Sequence, residues 1–185
     1  MRKLVTLINV SVDGYADHTM PVVVDSELHE FVTDYLESAD IALFGRVTYK
    51  LFEDYWPTAA AVPYATKGEI LFAEKINKMH KIVFSKTLEK TNWENVELIK
   101  GDAVSEIKKL KQMPGKNLSV GGLNILQSLI RQDMVDEYWL LVHPIVVNKG
   151  HRLFDNLDKQ VNLKLLDSQV LKSGVAVLHY ERINN

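Results

Sequence analysis

Three short loops hold the residue types with which proteins grip phosphate. Gly45-Arg46-Val47-Thr48 follows an apolar run and precedes a helical repeat. A helix start offers unpaired amides and a partial positive charge, so phosphate binds there readily. Gly45 lets a ligand approach the backbone, Arg46 can pair with a phosphate, and the Thr48 hydroxyl can donate a hydrogen bond. A plain strand-to-helix turn hinged on glycine accounts for the same four residues. Ser85-Lys86-Thr87 offers two hydroxyls and an ammonium after another apolar run, which suits a ribose phosphate; a polar loop turned by Ser or Thr is the competing explanation. Gly121-Gly122-Leu123-Asn124 follows Leu118-Ser119-Val120 directly. Paired glycines bring amides against a diphosphate at the next helix start. The spacing is not G-x-G-x-x-G, so the usual dinucleotide fingerprint is absent.

The elements around these loops decide whether they share one edge. Leu4 to Val10 reads as a buried first strand ended by Asp13-Gly14. Asp25 and Ser26 are capping residues ahead of Leu28, Phe31, Val32, Tyr35 and Leu36 at helical spacing. Ile41 to Phe44 is a second strand, and Val47, Leu51, Phe52 and Tyr55 repeat helically until Pro57. Thr58 to Tyr64 reads as a loop and Ile70 to Ile76 as a short helix. Strands follow at Lys81 to Phe84 and Trp93 to Ile99, then a helix through Val104, Ile107 and Leu110. After Leu118-Ser119-Val120 comes a helix through Leu126, Leu129 and Ile130. The longest apolar run, Tyr138 to Val147, predicts a central strand covered on both faces. Leu163 to Leu171 and Val175 to Tyr180 form a hairpin around Ser173-Gly174. Alternating strands and helices with a terminal hairpin predict an α/β fold, a mainly parallel sheet with an antiparallel edge. In such sheets ligands gather at the carboxyl ends of strands, where all three loops lie.

The 185 residues fit one domain, 1–185. A net charge of -2 with no basic cluster argues against nucleic acid or an anionic membrane surface. Lys108, Lys109 and Lys111 read as the solvated face of the helix carrying Ile107 and Leu110. The chain has no cysteine, which excludes disulfides, cysteine metal sites and a cysteine nucleophile. The start, Met1 to Val5, is too short an apolar stretch for a signal peptide, and no run approaches a membrane span. The expected location is the cytoplasm.

Several stretches resemble the dihydrofolate-reductase-like proteins, above all the branch related to the C-terminal reductase domain of the bacterial bifunctional riboflavin-biosynthesis deaminase/reductase. They are Ser11-Val12-Asp13-Gly14-Tyr15, Leu43 to Tyr49, Tyr55-Trp56-Pro57, Lys81 to Leu88, Val120-Gly121-Gly122, Val135 to Tyr138, Pro144 and Gly150 to Phe154. The resemblance implies a three-layer fold with helices on both faces of the sheet and NADPH across its carboxyl edge. Gly45, Arg46 and Thr48 would then hold phosphates. Ser85, Lys86 and Thr87 would surround the adenosine 2′-phosphate, and Gly121, Gly122, Leu123 and Asn124 would meet the diphosphate. Asn9 and Val10 would lie near the nicotinamide. Asn148-Lys149 stand where the family commonly has glycines.

Two carboxylates are candidates for assisting hydride transfer. Asp13 lies in the loop expected beside the nicotinamide, where a simple Asp-Gly turn is the alternative. Glu27-Leu28 with Phe31 resembles the acid-Leu-x-x-Phe pattern of the true folate enzymes, although an acid in a first helical turn is favoured by the dipole alone. The loop from Tyr15 to Val24 lacks a tryptophan, unlike a folate enzyme. Six histidines (18, 29, 80, 143, 151 and 179) show no metal-ligand spacing, so no metal is expected; His143 and His179 interrupt apolar strands and read as satisfied core or crevice residues. Trp56 either closes a helix as a packed aromatic or covers a ligand. The expected activity is an NADPH-dependent reduction of a small heterocycle, pyrimidine-like or pterin-like, without a deaminase half. The alternative is a ligand-binding module of the same fold, and the long strand and hairpin suggest a homodimer.

Overall fold

The computed structural model describes residues 1–183; the expected domain also takes in 184 and 185, which lie outside the described residues. The strands are β1 (Leu4–Ser11), β2 (Ala39–Gly45), β3 (His80–Phe84), β4 (Val96–Ile99), β5 (Asn117–Gly121), β6 (Glu137–His143), β7 (Leu163–Val170) and β8 (Ala176–Arg182). They form one sheet in the order β4-β3-β2-β5-β1-β6-β8-β7. The first six run parallel, and β8 and β7 add the antiparallel edge. The helices are α1 (Ser26–Leu36), α2 (Arg46–Glu53), α3 (Trp56–Ala59), α4 (Lys67–Lys78), α5 (Ala103–Gln112) and α6 (Leu123–Arg131).

Strand alternation sorts the side chains into two cores, because successive residues point to opposite faces. Leu4, Leu43, Ile82, Leu118 and Val120 pack with Ile107 of α5 and with Leu126, Leu129 and Ile130 of α6. Val5, Ala42, Phe44 and Val83 pack on the other face with Tyr35 and Leu36 of α1 and Phe72 and Ile76 of α4. The expected three-layer α/β arrangement is therefore formed. On the second face α1 and α4 touch closely: a Cβ on Gly68 would lie 2.1 Å from the Ser26 carbonyl oxygen, so only glycine fits.

Several boundaries differ from the periodic reading. The helix α2 stops at Glu53, and Pro57 opens the separate short helix α3, where its missing N–H costs nothing. Thr66 and Glu69 cap each other reciprocally, which starts α4 at Lys67, three residues before Ile70. Asn95 adopts φ 58, so β4 begins only at Val96, while Trp93 is buried with its indole N–H on Asn77 Oδ1 at 2.6 Å. The long apolar run leaves the sheet at His143, because Pro144 has no N–H to donate. Its strand, β6, lies inside the sheet, so the edges belong to β4 and, on the hairpin side, to β7. Lys111 is no part of a solvated face: it is buried, with Nζ donating to Met134 O at 3.0 Å and to Asp136 at 2.5 Å.

Candidate active site

β2 and β5 are neighbours, with Phe44 opposite Gly121, so α2 and α6 start side by side. Their N-cap residues, Gly45 and Gly122, carry no side chain to cap the first turn. Both sets of first-turn amides are thus left for a ligand, and the two helix dipoles add positive potential there. Gly122 adopts φ 109, and a Cβ on it would approach Thr48 Oγ1 to 2.7 Å. The two loops meet so closely that residue 122 must be glycine in both conformation and size. Arg46 stands exposed beside them.

This paired start forms one end of a cleft of about 640 Å³ that also takes in Leu123 and Asn124. From there the cleft runs between the sheet and the α1–α4 layer. Its floor is Leu7 and Asn9 of β1, Ala42 and Phe44 of β2 and Ser119 of β5. Its roof is Leu28, His29, Val32, Tyr35 and Leu36 of α1, with Phe52, Trp56, Phe72 and Ile76 closing the deep end. Trp56 therefore both packs and lines the cleft. The Tyr35 hydroxyl is 3.0 Å from Ser119 Oγ, and burial holds that phenol well above its ordinary value, fully protonated.

Asn9 is oriented from behind. The backbone N–H of Val23 donates to Nδ1 of His143 at 3.1 Å. Nδ1 is then the bare nitrogen of a neutral imidazole, Nε2 carries the proton, and it donates to Asn9 Oδ1 at 2.8 Å. The Asn9 Nδ2 amide makes no hydrogen bond among the described residues and is left as a donor in the cleft. Burial depresses the His143 pKa, in keeping with the neutral form. Val10, expected beside Asn9, faces the opposite core with Leu4 and Leu43 and does not line the cleft.

Neither candidate acid faces this space. Asp13 accepts from Ser11 Oγ at 2.7 Å, Val147 N at 3.1 Å and Asn148 N at 2.9 Å. Those bonds, the one from Ser11 first, lower its pKa to about 2. It clamps the loop after β6 to the loop after β1 and holds no proton near neutral pH. Further links, Ala16 N to His151 O and Leu153 N to Gly14 O, knit the same two loops. The Asn148-Lys149 departure is accommodated here, with Asn148 at φ 58. Glu27 accepts from Lys172 N at 2.9 Å, at the turn between β7 and β8, and lies outside the cleft lining.

Ser85, Lys86 and Thr87 lie at the end of β3, next to β2 and so on the same carboxyl edge, but outside the cleft lining. Ser85 Oγ accepts from Thr87 N at 3.3 Å and Leu88 N at 2.9 Å, while Lys86 and Thr87 are exposed. Asp17 and His29 are among the lining residues to which no site role is assigned from sequence. Asp17 sits at the mouth, with Oδ1 held by Thr19 N at 2.9 Å and Thr19 Oγ1 at 2.8 Å, which lowers its pKa. His29 falls within the apolar stripe of Leu28, Val32, Tyr35 and Leu36, and a polar residue inside such a stripe was the available signal.

The chain and its fold have known relatives. The chain is 30% identical over 154 residues to Uncharacterized protein YyaP of Bacillus subtilis, covering 80% of this chain and 77% of that one. It is 27% identical to Uncharacterized protein YwjB of the same organism, covering 98% of both. Its fold superposes on a "Putative riboflavin biosynthesis protein" from Shewanella sp. PV-4 with a TM-score of 0.73 at 22% identity, covering 98% of this chain and 99% of that one. RibD of Acinetobacter baumannii superposes with a TM-score of 0.68 at 13% identity; 99% of this chain covers 58% of RibD. The RibD C-terminal domain family matches residues 2–177, and this chain belongs to that reductase-like family, built on a dihydrofolate-reductase-like fold.

Proposed function

We propose that the protein is a cytoplasmic, NADPH-dependent reductase that transfers a hydride to a small heterocyclic substrate, pyrimidine-like or pterin-like. The observation that carries this is the pair of uncapped helix starts meeting at Gly122 and Thr48, at one end of a largely apolar cleft. The donor set fits a dinucleotide diphosphate: first-turn amides of α2 and α6, the Arg46 guanidinium and the Thr48 hydroxyl. Gly121, Leu123 and Asn124 complete that cradle, and Ser85, Lys86 and Thr87 on the neighbouring strand end would take the 2′-phosphate. When bound, NADPH supplies the hydride. Asn9 would donate from Nδ2 to a carbonyl oxygen of the ligand, held in place by His143. Leu7, Ala42, Phe44 and Leu141 exclude water from the transfer.

Calorimetric titration with NADPH and NADH tests this directly. Binding of NADPH, and its oxidation by some heterocyclic acceptor, is the expected result; no binding at millimolar NADPH refutes it. A binding module without efficient catalysis is the second reading. It is favoured by one observation: Asp13 and Glu27 lie outside the cleft, and Asp17 at its mouth is held as a carboxylate. A homodimer is proposed through β7, an open sheet edge exposing Leu165, Leu166 and Val170. Elution as a monomer in size-exclusion chromatography would rule it out.

A further inference from the structure

Among the described residues, His29 is the polar side chain at the deep end of the cleft that has no hydrogen-bond partner. It is only 8% exposed, yet its Nδ1 is buried without a hydrogen bond, and Nε2 makes none among the described residues. A neutral imidazole carries one donor and one acceptor, and buried polar groups are as a rule paired. The ring stands edge-on to Trp56, centroids 5.4 Å apart, and against Phe72 at 5.9 Å. Phe52 closes the same wall, 6.1 Å from Trp56 and 6.3 Å from Phe72. Such walls of ring faces and edges suit a flat aromatic guest.

The charge of the lining narrows the guest further. Arg46 is the one Lys or Arg among the described lining residues, and it stands exposed at the far, phosphate-binding end. His18 and His151 at the mouth lie 3.4 and 3.9 Å from Asp17. Burial lowers the His29 pKa against the pull of Glu69 and Asp25, so the imidazole is no cation for a phosphate. A phosphate dianion pushed into the deep end would lose its water and gain no counter-charge.

We propose that the deep end of the cleft takes a flat, uncharged, unphosphorylated heteroaromatic ring whose polar edge is read by His29, and that phosphorylated substrates are excluded. The proposal rests on the reductase reading, since it assigns the phosphate-binding end of the cleft to the dinucleotide. It sets this chain apart from a reductase of ribosylamino-pyrimidine phosphates.

The test is a fluorescence titration of protein already saturated with NADPH. Lumazine and lumichrome serve as bare rings, and riboflavin 5′-phosphate as a ring bearing a ribityl phosphate. At least one bare ring is expected to bind at least tenfold more tightly than the phosphorylated flavin. His29→Phe is expected to keep or raise the unfolding temperature of the free protein, because it removes an unpaired buried group, and to weaken bare-ring binding at least fivefold. His29→Gln, which restores a donor and an acceptor, should recover part of that loss. Three results would overturn the proposal: no binding of either bare ring, equal or tighter binding of the phosphorylated flavin, or unchanged ring affinity in His29→Phe. A failure of the reductase reading is separate, because it shows as absent NADPH binding before any ring is added.

Discussion

The Nε2–H of His143 donates to Oδ1 of Asn9 across 2.8 Å, joining β6 to β1 beneath the cleft. The bond has a direction because Val23 N occupies Nδ1, and that direction turns the Asn9 amide so that its NH2 group faces a ligand. Asn9→Ala removes the donor. Loss of one neutral hydrogen bond of about 1–1.5 kcal/mol corresponds to a roughly tenfold fall in kcat/KM. His143→Phe should lower kcat/KM in the same direction while leaving NADPH affinity within about threefold. Steady-state kinetics and a cofactor titration on both variants check this.

Two buried imidazoles make stability depend on pH. Burial lowers the pKa of His29 and of His143 from the ordinary 6.5. As pH falls, the unfolded chain therefore takes up these protons first. Stability from both groups is complete above about pH 6.5 and is lost as pH falls through the lower folded-state values. Each group contributes at most about 1.4 kcal/mol per pH unit within that window. Unfolding temperatures measured from about pH 7 down to about pH 5 should fall, and the fall should be shallower in His29→Phe. A flat profile over that range would contradict the neutral assignment.

The layer architecture and the shared carboxyl edge were legible because strand runs and helical stripes are local signals, written in consecutive residues. The uncapped helix starts at Gly45-Arg46 and Gly121-Gly122 were legible for the same reason, since each is written in the backbone of one turn. Side-chain roles set by distant partners were not. Asp13 meets Val147 and Asn148 some 134 and 135 positions away, so nothing beside it announces a clamp. Lys111 looks like its neighbours Lys108 and Lys109 until Met134 and Asp136 are brought against it. Glu27 matches a folate-like pattern, yet Lys172 N draws its carboxylate outside the cleft.

The clamp role of Asp13 has its own signature. Asp13→Asn keeps an acceptor oxygen but loses the charge, so the bonds from Val147 and Asn148 weaken without removing any group from the cleft. The expected result is a KM for substrate raised severalfold with kcat changed by less than about threefold, and faster amide exchange over residues 145–153. A proton donor would behave otherwise, with kcat falling by the 10²–10⁴-fold typical of lost acid catalysis. That outcome would return Asp13 to the chemistry.

Substitutions at Gly122 and Gly68 probe the two ends of the cleft separately, the first directly and the second through α1. In Gly122→Ala the new Cβ meets Thr48 Oγ1 at 2.7 Å, and φ 109 is strained for any L side chain by about 1–2 kcal/mol. NADPH affinity should fall at least tenfold, with ring binding at the deep end changed far less. In Gly68→Ala the obstacle is backbone, the Ser26 carbonyl oxygen at 2.1 Å, so α1 must shift against α4. Such overpacking costs about 1–3 kcal/mol, or roughly 2–10 °C in unfolding temperature for a chain of this size. Because α1 carries Leu28, His29 and Val32 over the cleft, that shift should weaken ring binding while NADPH affinity stays within about threefold. Equal losses of both ligands in both variants would mean that the cleft is one continuous site, without separate cofactor and ring ends.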